Sequence, residues 1–201
     1  MSNTAKGDGR EIRNLAVSEL RAGSGDLPTL EGYAAVFDEA SEPIGGMFRE
    51  YVTPEAFTRT LRDGADVRAL VDHDPSKILG RTTAGTLRLR EDHRGLLATI
   101  SPPDTTAGRD ITESVRRGDV SQMSFAFSVR EQRWDDNAGG DMPARHLLDV
   151  DLHDVSVVTY PAYTGTEISA RTIEVFEDRQ RHAAAMEILK NQETILMRKT
   201  S

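Results

Sequence analysis

The sequence predicts a mainly β fold with flanking helices (α+β), a closed or curled antiparallel β-barrel followed by a C-terminal amphipathic helix. Three observations predict it. Short apolar runs of strand length recur between Leu30 and Val158, each bounded by Gly, Pro, Asn or Asp. Only two helix-start signals interrupt them, at Thr53-Pro54-Glu55 and at Thr105-Thr106. Beyond Arg171 the pattern changes: Ala185, Ile188, Leu189, Gln192, Ile195 and Leu196 recur at helical spacing among Lys, Arg and Glu.

Taken in order, residues 1–10 read as a disordered, solvated tail, 11–171 as the main domain and 172–201 as a helical tail. Ile12, Leu15, Val17 and Leu20 form a loose strand pattern closed by the Gly23-Ser24-Gly25 turn. Strands are expected at 30–37 and 47–52. Thr53-Pro54-Glu55 then offers a hydroxyl cap, a proline whose missing N–H costs nothing, and an acid at the positive helix end. That helix should carry Phe57 and Leu61 and stop at Asp63-Gly64. Strands follow at 66–72, 85–90 and 95–100, with a turn starting at Asp74-Pro75. Thr105 or Thr106 caps a second helix with Ile111 and Val115 on one side, Arg116-Arg117 at its negative end and Gly118 as terminator. Strands at 122–130 and 147–158 flank a loop rich in Gly, Asp and Asn, and Tyr160-Pro161-Ala162-Tyr163 ends the second.

Composition narrows the function. The 201 residues suffice for one core, and 37% hydrophobic with 29% charged residues is a soluble globular balance. Aromatics are only 5%, so Val, Leu, Ile and Ala must carry the core. No apolar run is long enough to span a bilayer and no signal peptide opens the chain. The absence of cysteine excludes disulfides, a thiol nucleophile and thiolate metal sites, and suits the cytosol. A net charge of -8 argues against general nucleic-acid binding, which needs clustered Lys and Arg.

The chemistry-bearing residues stand in three separate segments. In Met123-Ser124-Phe125-Ala126-Phe127, alternation puts Met123, Phe125, Phe127 and Val129 on a bulky face and Ser124, Ala126 and Ser128 on a small one. The small face leaves room for a substrate chain beside the Ser124 hydroxyl. A serine becomes a nucleophile only when a base takes its proton and a third group orients that base. His73 shares parity with Val67, Ala69 and Val71, so its ring should face inward at a strand end. On the strand at 147–158, Leu148, Val150, Leu152, Asp154, Ser156 and Val158 share one face, which makes Asp154 a carboxylate in an apolar row. Such a group is costly unless a partner holds it. His153 stands beside it. His93 reads as a hairpin tip, His146 and His182 have polar surroundings, and none of the three carries such a signal.

These segments resemble, in order, the prohead (capsid maturation) serine protease family of tailed phages, related in fold to the herpesvirus assemblin proteases. The resemblance spans about residues 15–171. It rests on Leu30-Glu31-Gly32-Tyr33-Ala34-Ala35-Val36-Phe37, Val71-Asp72-His73-Asp74 with Leu79-Gly80-Arg81, Met123-Ser124-Phe125-Ala126-Phe127, and the run from Asp154-Val155-Ser156 to Pro161-Ala162-Tyr163. It implies that 11–171 is a protease domain of herpesvirus-protease type, with Ser124 as nucleophile and His73 as base. The third position falls on Asp154, although His153 could serve chemically; parity with the apolar face favours Asp154. No cofactor and no metal is implied.

The implied activity is a serine endopeptidase of capsid maturation, at work in the host cytoplasm inside the assembling procapsid. Its implied substrates are the scaffolding segment of the major capsid protein, internal proteins and the protease itself. A homo-oligomer is allowed; nucleic acid and membrane are not expected as partners. Two other readings remain: a non-catalytic capsid assembly scaffold, with the tail helix making the contact, and a metal-dependent hydrolase using His73 and Asp74.

Overall fold

The computed structural model describes residues 9–14, 20–24, 28–136 and 142–160, with short stretches at 176–178, 180–181, 184–186 and 188–190. In chain order the elements are β1 (Arg10–Asn14), β2 (Arg21–Ala22), β3 (Leu30–Val36), β4 (Arg49–Val52), α1 (Thr58–Arg62), β5 (Arg68–Val71), β6 (Asp74–Arg81), β7 (Leu87–Glu91), β8 (Gly95–Ile100), α2 (Thr106–Arg117), β9 (Gln122–Asp135) and β10 (Ala144–Val158). The fold is mainly β with a few short helices, and one sheet forms a curled half-barrel. The chain divides into two compact units, Met1–Glu167 and Ile168–Ser201. In the second unit the described residues are helical, and Met186, Ile188 and Leu189 are exposed. The stripe expected from Ala185 to Leu196 lies partly outside the described residues.

Six strands make the sheet that bears the site, in the order β1-β9-β10-β5-β6, with β4 also on β10. The remaining four form a second sheet, β2-β3-β8-β7. The larger sheet is mixed rather than antiparallel, because β4 and β5 both run parallel to β10 along one edge. β4 takes Ala144 to Leu147 and β5 takes Asp154 to Val157, which leaves the middle of that edge without a strand. The segment 53–60 fills the gap. Ala56 carbonyl accepts from Val150 N at 3.1 Å, Thr60 Oγ1 accepts from Leu152 N at 3.3 Å, and Thr53 N and Oγ1 both donate to Leu147 carbonyl. Buried backbone groups must be paired somewhere, and here a loop and a short helix do what a strand would.

That duty moves the first helix. Thr53 spends its hydroxyl on Leu147 rather than on a cap, and Glu55 takes a left-handed backbone with φ 71°, which no helix tolerates. α1 therefore starts at Thr58, not at Thr53. The second helix follows the sequence: Thr105 Oγ1 accepts from Gly108 N at 3.2 Å, and Gly118 closes the helix at φ 83°. Ile111 and Val115 are its buried face. A strand stands where a turn was expected at Asp74-Pro75, because the chain has already reversed at Asp72-His73. Arg10, assigned to the tail by the sequence, is the first residue of β1.

The core gathers Phe57, Val67, Leu79, Leu96, Ile100, Phe125 and Phe127 with Val, Leu and Ala from both sheets. Phe57 meets Phe125 edge-on at 5.6 Å, and Phe125 stacks on Phe127 at 5.0 Å. Gly95 is needed where β8 passes β3, since a Cβ there would lie 2.0 Å from the Ala35 carbonyl.

Candidate active site

Val71 pairs with Asp74, so β5 and β6 form a hairpin whose two-residue loop is Asp72-His73. Both loop residues have positive φ, 49° and 56°, as in the tight turns that match sheet twist. Gly, Asn and Asp normally serve there, so the steric cost of about 1–2 kcal/mol falls mainly on His73. Local bonds offset that cost. Asp72 accepts from Thr159 N at 2.8 Å and Thr159 Oγ1 at 3.0 Å, Asp72 N donates to Val157 carbonyl at 2.9 Å, and His73 N donates to Ser156 Oγ at 3.2 Å. His73 thus projects from a pinned turn, not from the inward face of a strand.

Ser124 stands in β9 directly opposite Ser156 of β10, and Ala126 stands opposite Asp154. The next pair is Phe127 with Leu152, so His153 is the extra residue of a β-bulge. The bulge corrects the face assignment. Leu152 and Val150 sit opposite Phe127 and Val129 on the aromatic face, while Asp154 and Ser156 join Ser124 on the other. Parity with the apolar row was therefore the wrong ground for preferring Asp154.

His73 Nε2 lies 2.6 Å from Ser124 Oγ and Nδ1 lies 2.6 Å from Asp154 Oδ1. Ser156 Oγ donates to Asp154 Oδ1 at 3.1 Å and stands 3.2 Å from Nδ1. Arg10 Nη2 donates to Asp154 Oδ2. With Nδ1–H given to the carboxylate, Nε2 presents its lone pair to the serine. The Ser124 hydroxyl has a second acceptor, the Arg13 carbonyl of β1 at 2.9 Å. Ser124 and Ala126 are both 0% exposed, so the small face of β9 is covered rather than open as expected.

The other expected residues lie elsewhere. His153 Nε2 is engaged with Ser128 Oγ at 2.8 Å. Asp74 accepts from Ser76 N and Oγ and pairs with Lys77. Among the described residues no His, Asp and Glu group converges as a metal-ligand set. His146 stacks on Tyr51, His93 is exposed at a hairpin tip, and His182 lies outside the described residues.

A cavity of about 580 Å³ opens beside His73 and Asp154, lined in part by Arg10, Arg59, Arg68, Arg130 and Asp151. Burial pushes the Asp151 carboxyl up, but bonds from Arg59 and Arg130 outweigh it and hold the group below the usual carboxylate range. On the opposite face of the same strands lies a cluster the sequence did not suggest. Arg145 donates to both oxygens of Glu11 at 2.8 and 2.9 Å and to Glu50 at 3.0 Å, while Arg13 binds Glu50 and Glu11 at 2.7 Å each. Glu11, Glu50 and Arg145 are at most 3% exposed. Burial lowers the Arg13 pKa, but Glu50 and Glu11 outweigh it and the net shift is upward. Arg10 and Ser156 were the residues missed at the site itself. Ser156 carried one signal, a hydroxyl two positions from Asp154; Arg10 carried none.

A serine, a histidine and an aspartate in hydrogen-bond contact is an arrangement that serine proteases use on several unrelated folds. The fold here is similar to the solved structure of the bacteriophage T4 capsid assembly protease, gp21, with a TM-score of 0.50 and 11% identity over 74% of this chain and 96% of that one. A family model described as caudovirus prohead serine protease matches residues 13–179. The chain belongs to that family, and is in general terms a capsid maturation protease. No curated protein matches it.

Proposed function

We propose that this chain is the serine endopeptidase of head maturation, acting inside the procapsid on the scaffolding segment of the capsid protein, on internal proteins and on itself. Ser124 Oγ attacks the scissile carbonyl carbon while His73 Nε2 takes its proton. The tetrahedral adduct collapses, the C–N bond breaks, and His73 returns the proton to the leaving amine. Water, deprotonated by the same imidazole, then clears the acyl-enzyme. Asp154 holds the Nδ1–H tautomer. The observation that carries this reading is the His73 ring lying 2.6 Å from both Ser124 Oγ and Asp154 Oδ1.

The test is co-expression with the cognate capsid protein, followed by intact mass measurement. The wild-type chain should release the scaffolding segment and trim itself, and Ser124→Ala should do neither. Capsid assembly supported equally by Ser124→Ala, with no cleavage by either chain, would establish the non-catalytic scaffold instead. The segment beyond Arg171 reads as a separable delivery element, so a chain ending there should keep peptide cleavage and lose incorporation into procapsids.

A further inference from the structure

We infer that Arg10 is a positioning residue of this active site, acting through Asp154; the inference rests on the proposed Ser124-His73-Asp154 machinery. Asp154 is 3% exposed and divides its two oxygens between different partners. Oδ1 receives His73 Nδ1 and Ser156 Oγ, and Oδ2 receives the Arg10 guanidinium. A carboxylate held at only one oxygen can rotate about its Cβ–Cγ bond and lose alignment with the imidazole. Held at both, its plane is fixed with Oδ1 on Nδ1. The guanidinium also supplies a positive charge while the imidazole is neutral, when a buried carboxylate would otherwise have none from its catalytic partner.

Arg10 is itself placed by register. It pairs with Ser128, and alternation along β1 turns it to the face of Ser124 and Asp154. Its neighbours Glu11 and Arg13 turn the other way into the buried cluster with Glu50 and Arg145. β1 is thus anchored on one face and delivers a charge on the other. Arg10 also lies outside the matched residues 13–179, so the family match assigns it nothing.

The test compares full-length wild type, Arg10→Gln, Arg10→Lys and Ser124→Ala on a peptide spanning a site that the wild type cuts. Arg10→Gln should lower kcat about tenfold or more with KM little changed, as a misaligned reacting group does. Arg10→Lys, which keeps the charge but not the fork, should fall between the two. The downfield His73 Nδ1 proton resonance should broaden or move in Arg10→Gln. Unchanged kcat and an unchanged resonance in Arg10→Gln, with Ser124→Ala inactive, would overturn the inference and leave the catalytic assignment standing. Cleavage by Ser124→Ala would remove that assignment first. If Arg10→Gln does not fold, Arg10→Lys decides. Wild-type kcat in it would make Arg10 a folding residue and overturn the inference; reduced kcat at unchanged KM supports it.

Discussion

β1, β9 and β10 bury two polar clusters, one on each face, and the pair separates holding from reacting. On one face Glu11, Arg13, Glu50 and Arg145 satisfy each other with guanidinium–carboxylate bonds. On the other, Arg10 and Asp154 resemble that arrangement, but the next member is an imidazole and the one after it a hydroxyl. Guanidinium groups only donate and ionised carboxylates only accept, so every bond of the first cluster has a fixed direction. An imidazole can accept a proton at one ring nitrogen while donating from the other, so the second has the parts to pass a proton. The same strands carry both clusters, but the second is less buried at Arg10 and replaces guanidinium–carboxylate partners with an imidazole and a hydroxyl, the groups that the proposed reaction needs.

The comparison breaks most sharply at the reacting face. Ser124→Ala and His73→Ala should each reduce peptide cleavage by about 10³-fold or more, with thermal unfolding close to wild type. Ser121→Ala, outside the cluster, should cleave normally; a wild-type rate in either of the first two removes the assignment. Next in size, Asp154→Asn should cost about 10²–10⁴-fold through the wrong imidazole tautomer, whereas His153→Gln should be mild. The opposite ranking in the same assay would hand the orienting role to the bulge residue.

The anchoring face should respond in stability rather than rate. Arg145→Met removes a cation that the buried Glu11 and Glu50 share, so urea unfolding should show a loss of about 3–5 kcal/mol. The folded fraction should lose less activity than Asp154→Asn does; the reverse would mean the two faces are not separate. The smallest effect belongs to Asp151. Its folded pKa is depressed by Arg59 and Arg130, so its contribution is complete above the unfolded value of about 3.9 and is lost as pH falls through the lower folded value. Asp151→Asn should flatten stability against pH below about pH 4, and an unchanged slope would show the group contributes nothing.

Much of this was legible in the sequence because it depends on local rules. The α2 cap at Thr105, its Gly118 stop and the strand at Leu30 follow from hydroxyls, glycine and alternation. The candidate site residues came from the family resemblance more than from local pattern, because a serine in an apolar strand and a single histidine are common and only the order of the matching segments set them apart. What stayed hidden depends on partners distant in the chain. The bulge at His153 is set by register against β9, and alternation alone put Leu152 on the wrong side of Asp154. α1 starts late because segment 53–60 must satisfy the open edge of β10. The Asp72-His73 hairpin needs Thr159 and Ser156 to hold two non-glycine residues at positive φ. The Glu11, Glu50 and Arg145 cluster looks like ordinary surface charge until the strands are paired.

The most direct measurement is the site of acylation. Incubating the full-length protein with a fluorophosphonate probe and mapping the adduct by peptide mass should place it on Ser124 in the wild type, and the adduct should be lost in His73→Ala. An adduct on Ser121 or Ser128, or labelling of Ser124 that proceeds unchanged without His73, would contradict the proposed nucleophile and base.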